Sequence, residues 1–302
     1  MNNSKHWLVC LDLSKMDDVL IGYTRFLADI IGPETITFLH IVDIGPTSRE
    51  IIDQFPEISS KEEFDEIIRG ELNERIENHF DKTGGEIRLL IKEGRPTNKI
   101  IGIDKSIEPD LLIMGKKEGY VGEGVIPKRV LKYVPTSILF VPENARYQLH
   151  NVLAPVDFSE QSANGVKAAL KLSDSEDGKV FAQHIFEYRA QFFPYMLSEQ
   201  DKKEIREEVE EKKSEFIKKY DIPDRVEFIL SKLSDGRHAD YVYEEAINKQ
   251  ADLIIIGSKS KKLADMLRHD FTERMANYAF GVPMLILKNK EKHSAILKSI
   301  FG

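Results

Sequence analysis

Short apolar runs alternate along the chain with longer stretches in which apolar residues recur every three or four positions. The runs are rich in Ile, Leu and Val and mostly lack alternating polar residues, which is typical of parallel strands buried on both faces. The longer stretches are typical of helices with one buried stripe, such as the stripe of Phe64, Ile67, Ile68, Leu72, Ile76 and Phe80. The pattern therefore predicts an α/β protein in which helices cover a parallel sheet.

Each half of the chain contains five predicted strands. In the first half they span residues 7–12, 35–41, 86–92, 111–115 and 137–141. In the second half they span residues 152–157, 179–185, 225–230, 253–257 and 284–287. Because crossover connections between parallel strands are right-handed, we expect each half to form a doubly wound, Rossmann-like domain around a five-stranded parallel sheet.

The two halves repeat one another. Three segments of the first half return in the same order in the second: HWLVCLDLS (6–14) as NVLAPVDFS (151–159), TFLHIVD (37–43) as FAQHIFE (181–187), and PDLLIMG (109–115) as ADLIIIG (251–257). The offset between the matched segments drifts only from 145 to 142 residues, which indicates a tandem duplication. We expect two domains, at residues 1–145 and 146–290, that pack as a pseudo-dimer, and a tail at residues 291–302.

Composition and charge exclude several classes of protein. The chain has 302 residues, and its single cysteine, Cys10, permits no internal disulfide framework. A net charge of −8 disfavours nucleic-acid binding, which needs a basic surface. No apolar run reaches the roughly 18 residues of a membrane span. The first residues lack the apolar core of a signal peptide, so we expect a cytoplasmic protein.

Open parallel sheets bind ligands beyond the carboxyl ends of their strands, where two aspartates and two glycines stand in this sequence. Asp12 and Asp157 end the first strand of each half and suit hydrogen bonds from a nucleobase or a sugar. Equally, they suit the start of the next helix, a role for which Ser14 and Ser159 compete. Gly115 and Gly257 end the fourth strands and suit either a phosphate-binding turn or a tight turn with positive φ.

No residue pattern points to catalysis or to a transition metal. The eight histidines are scattered without the spacing of metal ligands, and no serine stands in a nucleophile elbow. His40 and His184, near the ends of strands, are expected to be structural, and Cys10 to be an inert thiol of the core. We therefore expect a protein that is not an enzyme, although slow nucleotide hydrolysis stays open.

Four segments resemble the universal stress protein family, and together they cover both halves. They are VLAPVDFSEQSANGVKAA (152–169), ADLIIIGS (251–258) and TERMANYAFGVPMLIL (272–287) in the second half, and KRVLKYVPTSILFVP (128–142) in the first. The resemblance implies a tandem member of the family, with one domain in each half. It also implies a role in the response to stress.

The resemblance implies where a nucleotide would bind. In ATP-binding members a motif G-x-x-G, nine further residues and G-[S/T] holds the phosphates. The first-strand aspartate and an aliphatic residue that closes the second strand hold the adenosine. The matching positions are Asp157, Ile185, Ile256, Gly257, Ser258, Ser260 and Thr272 in the second half and Asp12, Ile41 and Gly115 in the first.

Both halves depart from the phosphate motif. Ser260 replaces the second glycine in the second half, and Glu118 replaces it in the first. Asp270 falls where G-[S/T] is expected, and a carboxylate repels phosphate unless a metal intervenes. The sequence favours a non-catalytic regulatory or scaffolding stress protein with largely degenerate ATP motifs. The alternative is a sensor that binds ATP, ADP or AMP, with Mg²⁺, through the second domain.

Two apolar segments suggest partners. The segment FFPYML, from Phe192 to Leu197, suits a lid, an interaction patch or, as we favour, packing against the other half. The tail carries Ile296, Leu297, Ile300 and Phe301, which would form one face of a short basic helix that docks on its own or a partner domain. A homodimer or another protein partner through either segment stays open.

Overall fold

The computed structural model describes residues 5–43, 61–80, 85–116, 125–174, 177–188, 198–234, 238–257 and 281–288. The strands of the first half are β1 (His6–Leu11), β2 (Thr35–Val42), β3 (Glu86–Glu93), β4 (Leu111–Lys116) and β5 (Ser137–Pro142). Those of the second half are β6 (Asn151–Pro155), β7 (Lys179–Glu187), β8 (Val226–Leu233), β9 (Leu253–Gly257) and β10 (Met284–Leu287). The helices are α1 (Met16–Ile31), α2 (Lys61–Glu77), α3 (Pro96–Ile107), α4 (Val125–Tyr133), α5 (Glu160–Asp174), α6 (Glu199–Tyr220) and α7 (His238–Asn248).

All ten strands lie in one sheet, in the order β3-β2-β1-β4-β5-β10-β9-β6-β7-β8. Neighbouring strands within each half are parallel, and both halves have the same doubly wound order, which confirms the predicted fold. The predicted strand bounds are close, but β1 ends at Leu11 and β6 at Pro155. Asp12 and Asp157 therefore lie just beyond the strands, in the turns that lead into the next helix.

Apolar side chains fill both faces of the sheet. Along β1, Trp7, Val9 and Leu11 join the cluster that α1, α2, α5 and α6 cover. Leu8 joins the cluster on the opposite face, under α3, α4 and α7. Burial on both faces explains why the strands carry nearly continuous apolar runs. In α2, Ile67 departs from the predicted stripe, because its side chain is 52% exposed.

The two halves meet through their fifth strands. β5 and β10 pair in antiparallel register, with Ile138 opposite Ile286. An antiparallel pair of equivalent strands is what a twofold relationship produces, because it places the same surface of each unit against the other. The two five-stranded sheets thus become one sheet, and the halves pack as the expected pseudo-dimer.

A short linker crosses between the halves. The Arg146 guanidinium and the Gln148 amide both lie 2.8 Å from Asp252 Oδ1, which fixes the linker to the start of β9. Between them, the Tyr147 ring lies 5.9 Å from the Tyr23 ring and 6.2 Å from the Phe26 ring on α1. Three consecutive residues therefore attach the second half to a helix of the first.

Lys288, directly after β10, makes a second connection. Its Nζ donates to the carbonyls of Leu131 and Val134, at 2.6 and 2.5 Å. These carbonyls lie at the end of α4, where a helix leaves acceptors unsatisfied and favours a positive charge. The segment 192–197 and the tail 291–302 lie outside the described residues. Among the helices that the structure describes, none has the length and hydrophobicity of a membrane span.

Candidate functional site

The carboxyl edge of the sheet holds the two aspartates that the sequence singled out. Asp157 Oδ1 accepts hydrogen bonds from the Ser159 N–H (3.2 Å) and the Ser159 hydroxyl (2.5 Å). The same oxygen of Asp12 accepts from the Ser14 N–H (3.2 Å) and hydroxyl (2.6 Å). Each serine Oγ in turn accepts a backbone N–H of the following helix, from Ser162 or Met16. The serines thus bind the helix start, and each aspartate orients its serine.

Both halves place a histidine under this turn. His184 Nδ1 lies 2.8 Å from the Val156 carbonyl, and His40 Nδ1 lies 3.1 Å from the Leu11 carbonyl. Because a carbonyl only accepts, each Nδ1 carries the proton and donates it. Burial lowers the pKa of both imidazoles, which keeps the neutral form at pH 7. These contacts give both histidines the structural role that the sequence predicted.

An aromatic stack distinguishes the second half. Phe158, with a φ of 62°, lies over His184 with ring centroids 4.1 Å apart. Its ring also contacts Phe216 of α6, at 5.6 Å. The first half has Leu13 at this position, with a φ of 61°. The backbone of the turn therefore has the same left-handed residue in both halves, and in the second half this residue places an aromatic ring beside the turn.

Gly115, one residue before the end of β4, and Gly257, the last residue of β9, are strand residues whose role is close packing. A Cβ on Gly257 would lie 2.1 Å from the Gln161 carbonyl oxygen, at the start of α5. A Cβ on Gly115 would lie 2.7 Å from the Met16 side chain, at the start of α1. Among the described glycines, only Gly32 and Gly94 have positive φ. The predicted alternative of a tight turn with positive φ is therefore wrong for Gly115 and Gly257.

Ile185 and Ile256 lie on the opposite face of the sheet from these packed glycines. Ile256 is 1% exposed, and Ile185 packs against the same apolar cluster under α7. Ile41 has the corresponding place in the first half, in the cluster under α3 and α4. The structure thus brings Ile185 and Ile256 together on one face of the second half, and Ile41 lies on the corresponding face of the first. Ser258, Ser260 and Thr272, with Glu118 and Asp270, lie outside the described residues.

Asp17 is a site residue that the sequence analysis missed. Its carboxylate accepts from the Asp12 N–H at 3.0 Å and the Leu13 N–H at 2.8 Å, and its side chain is 1% exposed. Burial raises the pKa of Asp17 to about 6, although these two hydrogen bonds lower it. The second half has Ser162 at the matching position, and its hydroxyl donates to the Ser159 carbonyl at 2.9 Å.

The two repeats differ at this residue, which could have indicated Asp17 from the sequence. The segments at the helix starts are LSKMD (13–17) in the first half and FSEQS (158–162) in the second. An acid that replaces a serine beside a candidate anion site changes the charge of that site. Cys10, by contrast, behaves as predicted, since burial raises the pKa of its thiol to about 12. Within the described ranges, no three His, Cys, Asp or Glu side chains form a cluster able to hold a metal ion.

Known proteins confirm the resemblance for the second half. Residues 148–288 match the model of the universal stress protein family. This half of the chain belongs to the universal stress protein family. The first half has the same strand order, so the protein consists of a universal stress protein domain preceded by a second copy of its fold. Among curated proteins, none matches this sequence.

Solved structures show the same two-part architecture over the whole chain. A universal stress protein from Archaeoglobus fulgidus DSM 4304 is similar with a TM-score of 0.62 and 17% identity, over 95% of this chain and 99% of that one. A protein of unknown function from Pseudomonas aeruginosa PAO1 is similar with a TM-score of 0.61 and 13% identity, over 98% of this chain and 96% of that one. At these identities the likeness establishes the fold.

Proposed function

We propose that this universal stress protein is a non-catalytic regulator of the stress response in which only the second half binds an adenine nucleotide. The observation that carries the proposal is the difference between Asp17 and Ser162 at the start of the first helix of each half. The first half serves as the structural partner of the second.

In the first half an internal carboxylate occupies the turn beside the candidate site. The N–H groups of Asp12 and Leu13 are the donors that follow β1, and Asp17 accepts from both. With a pKa of about 6, Asp17 is mostly ionised at pH 7. A buried negative charge at this place repels the phosphates of a nucleotide and leaves these donors engaged.

In the second half the same place is neutral. Ser162 is directed to the Ser159 carbonyl, and its hydroxyl carries no charge. The residues that match the adenosine side of the family's site, Asp157 and Ile185, are both present. Gly257 brings the start of α5 against β9, and a helix start favours anions through its N–H groups. The first half has the corresponding Asp12, Ile41 and Gly115, so the difference between the halves at this place is the charge of Asp17, which the second half lacks.

The described polar groups beside this site are used for structure. His184 donates its Nδ1 proton to the Val156 carbonyl, and its ring stacks on Phe158. The Ser159 hydroxyl is bound to Asp157. A general base needs to reach the proton that it removes, and these contacts hold His184 within the fold. This arrangement supports binding and release of a nucleotide rather than its conversion.

The test is isothermal titration of the full chain with ATP, ADP and AMP, with and without Mg²⁺. We expect one site per chain, binding that Asp157→Ala abolishes, and recovery of the nucleotide unchanged. Asp12→Ala is the matched control, because it removes the same serine contact from the first half and should leave binding intact. Two sites per chain, or loss of binding in Asp12→Ala alone, would contradict the proposal.

A nucleotide-free scaffold is the second candidate, and the packing of Gly257 favours it. The approach of the Gln161 carbonyl is sufficient to require glycine at residue 257, without any phosphate. In that case titration gives no heat with any of the three nucleotides, and none of them raises the melting temperature. The protein would then act through contacts of its surface with other proteins.

A further inference from the structure

Gln183 is a buried polar residue on β7 where the first half has an apolar one. Both Gln183 and its counterpart Leu39 are 1% exposed. The segments TFLHIVD and FAQHIFE align these two residues directly. Exchange of a buried leucine for an amide is costly unless the amide forms hydrogen bonds. Both the nitrogen and the oxygen of the buried Gln183 amide therefore need hydrogen-bond partners.

The nitrogen end of the amide has its partners. Gln183 Nε2 lies 2.9 Å from the Ser231 hydroxyl on β8 and 3.1 Å from the Tyr241 carbonyl on α7. Because the Tyr241 carbonyl only accepts, the amide nitrogen must face it, and this fixes which end of the amide is the oxygen. Gln183 Oε1 is buried and accepts a hydrogen bond from none of the described residues.

The position of Gln183 relates it to the candidate nucleotide site. Gln183 lies two residues before Ile185 on the same strand, so both side chains are on the same face of the sheet. That separation is about 7 Å, which is comparable with the length of a purine. Ser231, which holds the Gln183 amide, is the register partner of Ile185 on β8. A base that contacts Ile185 would therefore lie next to the Gln183 amide on the same face of the sheet.

We propose that Gln183 selects the base of the nucleotide, through acceptance of a hydrogen bond at Oε1 from the exocyclic amino group of adenine. The inference rests on the proposed function of the second half. Adenine presents an N–H donor at this edge, whereas hypoxanthine presents a carbonyl acceptor. Two acceptors that face each other in a buried site repel, and both lose a hydrogen bond. Leu39 gives the first half no such group.

The test compares AMP with IMP and with purine riboside 5′-monophosphate, which lacks the amino group, by titration of the full chain. We expect the wild type to prefer AMP by about tenfold or more over both analogues. Gln183→Leu, which introduces the residue of the first half, should bind the three ligands with similar affinity. Ser231→Ala is the matched control, because it removes one partner of Nε2 while the Tyr241 carbonyl still orients the amide, so the preference for AMP should remain.

The outcomes separate this inference from the proposed function. Equal affinity of the wild type for AMP and both analogues would overturn the role of Gln183 and leave nucleotide binding established. The same holds if Gln183→Leu keeps the preference of the wild type. Absence of binding by the wild type would overturn both. If Gln183→Leu does not fold, the comparison of the three ligands in the wild type and in Gln183→Met decides the matter.

Discussion

The α-carbon of Gly257 lies so close to the Gln161 carbonyl that a Cβ at residue 257 would be 2.1 Å from that oxygen. Real Cβ atoms do not approach a backbone oxygen so closely, and neither group lies at the end of a flexible side chain. The end of β9 and the start of α5 can consequently pack this closely only because residue 257 has no side chain. This contact fixes the helix start beside the candidate site.

Substitution of this glycine should be strongly destabilising. In Gly257→Ala the backbone of β9 or α5 must shift, and we expect the free energy of unfolding to fall by about 2–4 kcal/mol. Chemical denaturation measures the change. Gly102→Ala, in α3, is the matched control, because no atom lies within 4 Å of its added Cβ. Alanine is the better helix former there, so a loss of stability in the control would contradict this reasoning.

Replacement of Asp17 by serine, as in the second half, should change the pH dependence of stability. The pKa of Asp17 rises from 3.8 to about 6 on folding, so the folded state binds the proton more tightly than the unfolded chain. The stability that this proton provides is complete below pH 4 and is lost as the pH rises through 6. A shift of about two units corresponds to about 3 kcal/mol.

Denaturation of the wild type and Asp17→Ser at intervals between pH 4 and pH 7 tests this expectation. The stability of the wild type relative to the variant should decrease as the pH rises over that range. Asp18→Ser is the control, since Asp18 is exposed and lies 3.9 Å from the Arg75 guanidinium. A difference between wild type and Asp17→Ser that does not vary with pH would show that Asp17 titrates at its ordinary pKa.

The linker tyrosine should contribute to stability through its ring. Tyr147→Ala removes the ring contacts with Tyr23 and Phe26, and we expect a loss of about 1–2 kcal/mol. Tyr147→Phe should reduce the free energy of unfolding little. The hydroxyl that it removes lies 3.4 Å from the Val19 carbonyl, which is long for a hydrogen bond. Tyr133, which is 51% exposed against 49% for Tyr147, is the matched position. Equal losses in Tyr133→Ala and Tyr147→Ala would mean that the linker contact is not stabilising.

Lys288 should stabilise the contact between the halves through its charge. Lys288→Met keeps most of the side-chain stem but removes the donors to the Leu131 and Val134 carbonyls. We expect the free energy of unfolding to fall by about 1–3 kcal/mol. Thermal unfolding at several salt concentrations measures the loss. Lys105→Met, at an exposed position of α3, should change stability little, and a comparable loss there would argue for a general effect of charge.

The strands could be predicted because each is a local apolar run, and their order because the same series of runs occurs in both halves. Burial on both faces gives β4 the run LLIM and β9 the run LIII, and the match between them indicates equivalent strands. The aspartates of the two matched motifs, Asp110 and Asp252, prove to bind the N–H groups at the starts of β1 and β6. Part of the repeated sequence thus maintains the sheet rather than a ligand site.

The site was harder to predict, because its details depend on contacts between distant segments. Gly257 is glycine because of Gln161, which is nearly one hundred residues away in the chain. The partners of Gln183 lie on β8 and α7, and no local pattern indicates them. Asp17 reads as an ordinary acid in the first turn of a helix, whereas its carboxylate binds the turn that precedes that helix.

Fusion of the two sheets in one polypeptide has a consequence for how the protein evolves. Two identical chains that meet across a twofold axis must carry every substitution on both sides. Here the β5–β10 pairing joins segments that mutate independently, so one half can have Asp17 where the other has Ser162. The linker also keeps the pairing surfaces at high effective concentration, so their association does not depend on the amount of protein present. Each half is thereby free to specialise without loss of its partner.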